Sequence, residues 1–152
     1  MKSNRMKICN LLMCFCLVFA LTGCTTSSHK AYTFSVETGD SVEVKLDTSD
    51  HYDITSDIPF AISRDGEVLS QGTFIHAEYY AQYEEAARTD EHAQILDSGT
   101  KDGNQYVFWS YNDSEYNYVI LVEDSDTGII LGNNVSEESA RECFDRLTIS
   151  LE

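Results

Sequence analysis

Gln105-Tyr106-Val107-Phe108-Trp109-Ser110-Tyr111 places aromatic or branched apolar side chains on both faces of one extended segment. A strand that is apolar on one face sits over a core; one that is apolar on both faces has to be covered on both. This stretch is therefore expected centrally in a sheet. Its neighbours agree. Gln94 to Ser98 precedes it across the turn Lys101-Asp102-Gly103-Asn104. Tyr116 to Glu123 follows the polar link Asn112-Asp113-Ser114-Glu115, and Ile129 to Gly132 follows Asp124-Ser125-Asp126-Thr127-Gly128. Links this short join antiparallel strands, because a parallel return needs a crossover of a dozen or more residues.

Toward the N-terminus the alternation continues. Tyr32 to Glu37 and Ser41 to Leu46 form a hairpin through Thr38-Gly39-Asp40, with Val42, Val44 and Leu46 facing inward. Phe60 to Ile62 and Val68 to Ile75 flank Arg64-Asp65-Gly66-Glu67, and Asp-Gly between alternating runs is a strong hairpin signal. The period then changes. Ala77 to Thr89 reads as an amphipathic helix whose stripe of Tyr79, Tyr80, Tyr83 and Ala87, widened by Ala77 and Ala81, is expected to face the core. A second helix is expected to start after Asn133-Asn134-Val135-Ser136, capped by Ser136 or Asn134, and to bury Ala140, Cys143, Phe144 and Leu147. Thr148 to Leu151 closes as a short strand or extends that helix. The fold class expected is α+β: an antiparallel β-sheet flanked by two α-helices.

This order of elements resembles the Mog1/PsbP-like fold. The resemblance covers Tyr32 to Leu151 and rests on the N-terminal hairpin and on the ending, where the strand Ile129-Ile130-Leu131-Gly132, a polar turn and the Ser136 to Leu147 helix follow one another. That group includes photosystem accessory proteins, nuclear-transport regulators and bacterial lipoproteins. The resemblance implies a non-catalytic binding or accessory module.

The first thirty residues carry a different kind of information. Lys2, Arg5 and Lys7 precede the apolar run Ile8 to Ala20, 13 residues interrupted only by Asn10. About 20 apolar residues are needed to span a hydrocarbon core, so the run fits a signal-peptide core better than an anchor. It ends in Leu21-Thr22-Gly23-Cys24, which resembles the lipobox of bacterial lipoproteins. The resemblance implies cleavage before Cys24, recognition through Leu21, Thr22 and Gly23, and a lipid on Cys24. Residues 1–23 are then a leader, 24–31 a flexible tether and 32–152 a single domain. The expected location is the extracytoplasmic side of a bacterial cell membrane, with the membrane contacted through the N-terminal lipid.

Removing such a leader sharpens the charge. All 26 acidic residues lie after Cys24 against seven of the ten basic ones, a formal charge of −19. A domain this acidic repels nucleic-acid phosphates, so no nucleic-acid partner is expected. Cys9, Cys14 and Cys16 lie in the leader and Cys24 is assigned to lipid, which leaves Cys143 without a partner for a disulfide.

Motifs for chemistry are sparse. Asp47, Asp50, Asp53 and Asp57 suggest a calcium loop, but they are spaced by three or four rather than alternating, with no following Gly for the sharp turn. Asp126-Thr127-Gly128 matches the core tripeptide of aspartic proteases, yet it occurs once and Glu123-Asp124-Ser125 precedes it where apolar residues belong. A hairpin turn explains it. His29, His51, His76 and His92 have no metal-site spacing with one another or with Cys143. No catalytic residue, metal or cofactor is expected. The candidate binding face is aromatic: Tyr106, Trp109, Tyr111, Tyr116 and Tyr118. The expected function is a lipid-anchored binding or accessory domain for another envelope protein or a small ligand. The alternatives are a calcium-responsive acidic module and an envelope enzyme without a visible catalytic constellation.

Overall fold

The computed structural model describes residues 28–152. The expected leader, the lipobox residues Leu21, Thr22, Gly23 and Cys24, and Thr25 to Ser27 of the expected tether lie outside the described residues. Ten strands and two α-helices follow: β1 His29–Ser35, β2 Ser41–Asp47, β3 Tyr52–Ile54, β4 Phe60–Arg64, β5 Glu67–His76, α1 Tyr80–Thr89, β6 Ala93–Lys101, β7 Asn104–Tyr111, β8 Glu115–Leu121, β9 Thr127–Asn133, α2 Glu137–Asp145 and β10 Leu147–Leu151. All strand pairings among them are antiparallel. The fold is mixed α+β and mostly antiparallel sheet.

The strands make two sheets where one was expected. Seven are ordered β3-β4-β5-β9-β8-β7-β6, and three are ordered β1-β2-β10. The first hairpin buries only Val42, Val44 and Leu46 on one side of β2, while Ser41, Glu43, Lys45 and Asp47 stay half-exposed on the other. A ribbon with a single apolar face has to lie over something. It lies over the larger sheet, and β10 completes it by pairing Leu147 with Leu46 and Ile149 with Val44. Thr148 to Leu151 is thus strand rather than helix.

Alternation along β7 and β8 divides the interior. Phe108, Tyr118 and Ile120 join Phe34, Val44, Phe60, Ile129, Cys143 and Phe144 in the main core. Val107, Trp109 and Val119 point the other way and meet Ala87 of α1. The small sheet and α2 therefore share one face of the large sheet, and α1 covers part of the other. β7 is covered on both faces, as its composition predicts, although it sits one strand in from the edge and β9 holds the middle.

Local chemistry explains the turns. Asp65 and Gly66 (φ 52° and 84°) and Asp102 and Gly103 (φ 52° and 87°) occupy the left-handed region that two-residue hairpin turns require. The α2 N-terminus is capped by Ser136, whose hydroxyl accepts from the Ser139 N–H at 3.1 Å, with Glu137 and Glu138 in the first turn. Its C-terminus is capped from a distance: the Lys101 amine donates to the carbonyls of Phe144 (2.6 Å), Asp145 (3.1 Å) and Leu147.

Two expected boundaries change. The tether was expected to reach residue 31, but β1 starts at His29, where the register pairs His29 with Asp47 and Lys30 with Leu46. The acidic loop after Leu46 contains a 3-10 turn over Ser49–His51 and the strand β3, which buries Tyr52 and Ile54.

Candidate recognition surface

The aromatic residues singled out from the sequence do not form one face. Tyr106, Tyr116 and Tyr118 point into the main core, and Trp109 packs in the second cluster on the opposite side of the sheet. The Tyr118 ring, 3 % exposed, lies between Phe108 and Phe144, stacked at 4.1 Å from each. Tyr106 packs on Phe144 at 4.9 Å, and its hydroxyl donates to Asp97 at 3.2 Å. Burial pushes the hydroxyls of Tyr118 and Tyr106 above the ordinary tyrosine range. These rings join α2 to the sheet. Tyr111 is half-buried, with its ring at 6.0 Å from the His92 ring.

The acidic loop is engaged internally. Asp53 pairs with Lys30 at 2.7 Å, and that ion pair holds its carboxyl below the usual carboxylate range. Asp50 pairs with Arg146 at 2.6 Å. Asp47 accepts from the Ser49 N–H at 2.9 Å. Carboxylates splayed toward separate partners do not converge on a cation. Among the described residues, no three of His, Cys, Asp and Glu are grouped as metal ligands.

Asp126-Thr127-Gly128 proves to be a structural joint. Thr127 is fully buried, and its hydroxyl donates to the Asp40 carboxylate at 2.7 Å, which also accepts from the Asp126 N–H at 2.9 Å. The Asp126 carbonyl in turn accepts from the Ala77 N–H at 2.8 Å. The β1–β2 turn, the β8–β9 turn and the approach to α1 are thereby tied together at one end of the molecule. Cys143 is fully buried, and burial pushes its thiol up, away from the reactive thiolate.

Two grooves remain. The larger, about 990 Å³ and open, runs between α2 and the outward face of the small sheet and is lined by charges of both signs. Its two arginines are already paired: Arg141 with Glu137 at 2.9 Å, and Arg146 with Glu142 at 3.3 Å. The other sits at the end of β5 and mixes apolar with polar side chains. A hollow of about 240 Å³ is lined by Val36, Glu37, Ile58 and the consecutive residues Thr73 to His76. A second, of about 400 Å³, lies on the far side of Ile75 against Tyr79, Gln82, Tyr83 and Ala86 of α1 and the turn before it. Ile58 is 54 % exposed, Tyr79 41 % and Tyr83 39 %. The tyrosine stripe expected in the core is therefore split: α1 turns Ala87 and half of Tyr80 to the sheet and leaves Tyr79 and Tyr83 outside.

This surface escaped sequence reading because the stripe through Tyr80, Glu84 and Ala87 and the one through Tyr79 and Tyr83 differ by one helical step, about 100°. Only the neighbouring sheet decides which one is covered. Among the described residues, no helix is long and apolar enough to cross a membrane. Comparisons of the chain with models of protein families, with curated proteins and with solved structures found no match.

Proposed function

We propose that this chain is a lipid-anchored, extracytoplasmic binding or accessory domain. The observation that carries the reading is Leu21-Thr22-Gly23-Cys24, placed behind a basic and then apolar leader. A diacylated cysteine gives stable membrane attachment where one acyl chain does not. With β1 starting at His29, only Thr25 to Ser28 separate the lipid from the fold. Four residues extend at most about 14 Å, so the domain is held close to the bilayer.

The short tether gives the domain a direction. The Ser28 carbonyl accepts from the Thr48 N–H at 2.8 Å, so the anchored end is the one with the 3-10 turn. β1 then runs seven residues, about 20 Å, to the end where Asp40, Thr127 and the two hollows lie. The exposed tyrosines are thus carried away from the bilayer, as suits a module that meets another envelope component. The N-terminal hairpin and the order of β9, a polar turn and α2 are what support a Mog1/PsbP-like architecture, and fold alone does not fix function.

The test is Cys24→Ser in the full chain, expressed in bacteria with a radioactive fatty acid. Loss of label, accumulation of the uncleaved form and release from lipid-dependent fractionation are expected. A variant that is still labelled, or that is processed as the parent is, removes the anchor from the proposal.

A further inference from the structure

We propose that the free edge at the end of β5 is a docking site for an extended, lysine- or arginine-bearing segment of a partner protein. On one side, β5 pairs with β9 through His76. On the other, pairing with β4 stops at Gly72, and among the described residues Thr73 to His76 have no strand paired beside them. Those four residues line the smaller hollow in sequence, as an open strand edge does. An added strand gains main-chain hydrogen bonds along such an edge. Its side chains alternate between faces, and here each face offers a pocket. One is formed by Val36, Ile58 and Phe74; the other by Ile75, Tyr79 and Tyr83.

Charge selects the occupant. Glu37 lines the first hollow, and the exposed Asp57 and Glu78 adjoin Ile58 and Tyr79 in the chain. Among the described residues, no Lys or Arg lines either hollow. The nearest arginine along α1, Arg88, is paired with Glu84 at 2.8 Å. A cationic strand gains from this rim and from cation–π contact with the exposed tyrosine rings. A second copy of the chain does not fit, because it brings the same excess of 26 acidic residues over ten basic ones. Anionic lipid is repelled for the same reason.

This names a partner class for the binding role proposed above and rests on that role, not on the anchor, so Cys24→Ser and the following test fail independently. The full chain is titrated by amide NMR with three eight-residue peptides, one alternating Lys and Val, one alternating Glu and Val, and one Lys-Leu peptide patterned as a helix. Vesicles of phosphatidylglycerol and phosphatidylethanolamine form a fourth arm. The Lys-Val peptide should shift and protect Thr73 to His76, with shifts at Ile58 and Tyr79. It should bind about tenfold more tightly than the Glu-Val peptide and weaken as salt rises. The pair Glu37→Lys and Glu78→Lys, both on exposed residues, should lose about tenfold for the Lys-Val peptide and leave the melting temperature unchanged. Ile58→Ser should weaken binding without touching the rim charge. Shifts confined to the α2 groove, equal affinity for the Glu-Val peptide, tighter binding of the helical peptide, or vesicle binding through Tyr79 each overturn the proposal.

Discussion

The guanidinium carbon of Arg146 lies 4.1 Å from the centre of the Tyr52 ring. From that position its nitrogens donate to the Ser49 carbonyl at 3.1 Å, the Ser49 hydroxyl at 2.9 Å, Asp50 at 2.6 Å and Glu142 at 3.3 Å. One side chain thus fastens the 3-10 turn, where Asp50 and His51 have φ of 56° and 68°, to the end of α2. Positive φ costs non-glycine residues about 1 kcal/mol or more each and persists where the surroundings enforce it. An ammonium has neither the planar fork nor the same stacking surface. Arg146→Lys is therefore expected to lose about 2 kcal/mol in urea unfolding. Amide exchange should accelerate first at Ser49 to His51. Unchanged exchange there would assign Arg146 a lesser part.

Tyr52 makes the same junction sensitive to alkali. Burial, and then Glu142 beside it, pushes its hydroxyl up to about 12. In the unfolded chain a tyrosine releases its proton near pH 10. Above that pH the unfolded state binds fewer protons than the folded state, so stability falls as pH rises. Stability should be level up to about pH 9 and decline between roughly 10 and 12. Tyr52→Phe should make the decline shallower. Tyr118, raised by burial in the same direction, should account for part of what remains. Denaturation followed at several pH values reads this directly, and identical slopes for parent and Tyr52→Phe would contradict it.

Lys101 is the second long-range fastening. Its three N–H donors meet two carbonyls in the last turn of α2 and the Leu147 carbonyl at the start of β10, and its amine lies 4.8 Å from the centre of the Phe144 ring. Burial lowers its amine from the ordinary range, but the three acceptors match an ammonium one for one. Lys101→Met keeps the stem and strands those carbonyls. The expected loss is about 2–3 kcal/mol, seen as a lower urea midpoint with unchanged slope, with faster exchange in the last turn of α2 and in β10. Lys101→Arg should not restore stability, because a planar fork cannot converge on these three carbonyls.

What the sequence could and could not reveal follows from the range of the interactions. Asp65-Gly66 and Asp102-Gly103 were legible as turns because two adjacent residues of suitable chemistry suffice to turn the chain. The two-faced strand around Phe108 and the helix capped by Ser136 were legible because periodicity and capping are local. The partition into two sheets was not, because Leu147 pairs with Leu46 across a hundred residues of sequence. Alternation puts neighbouring residues of one strand on opposite faces, but the register that separates Trp109 from Tyr118, and the Ala87 and Phe144 that cover them, come only from the fold. For that reason rings expected at a binding face serve the core, and rings expected in the core lie at the surface.

Gly72 tests the packing beneath the proposed edge. It sits opposite Phe60 in the β4–β5 register, and a Cβ added there would collide with the Phe60 ring, which is fully buried. That ring cannot yield easily: Phe34 lies at 5.8 Å and Phe74 at 6.0 Å from it. Gly72→Ala should therefore destabilise by about 1–3 kcal/mol even though alanine suits a strand better than glycine. Phe60→Leu alone should also destabilise, through lost burial. Because the clash needs the ring, the double variant should be more stable than the sum of the two single losses predicts. Additive losses in the double-mutant cycle would show that the strand shifts to admit the methyl group and that Phe60 does not set the spacing of β4 and β5.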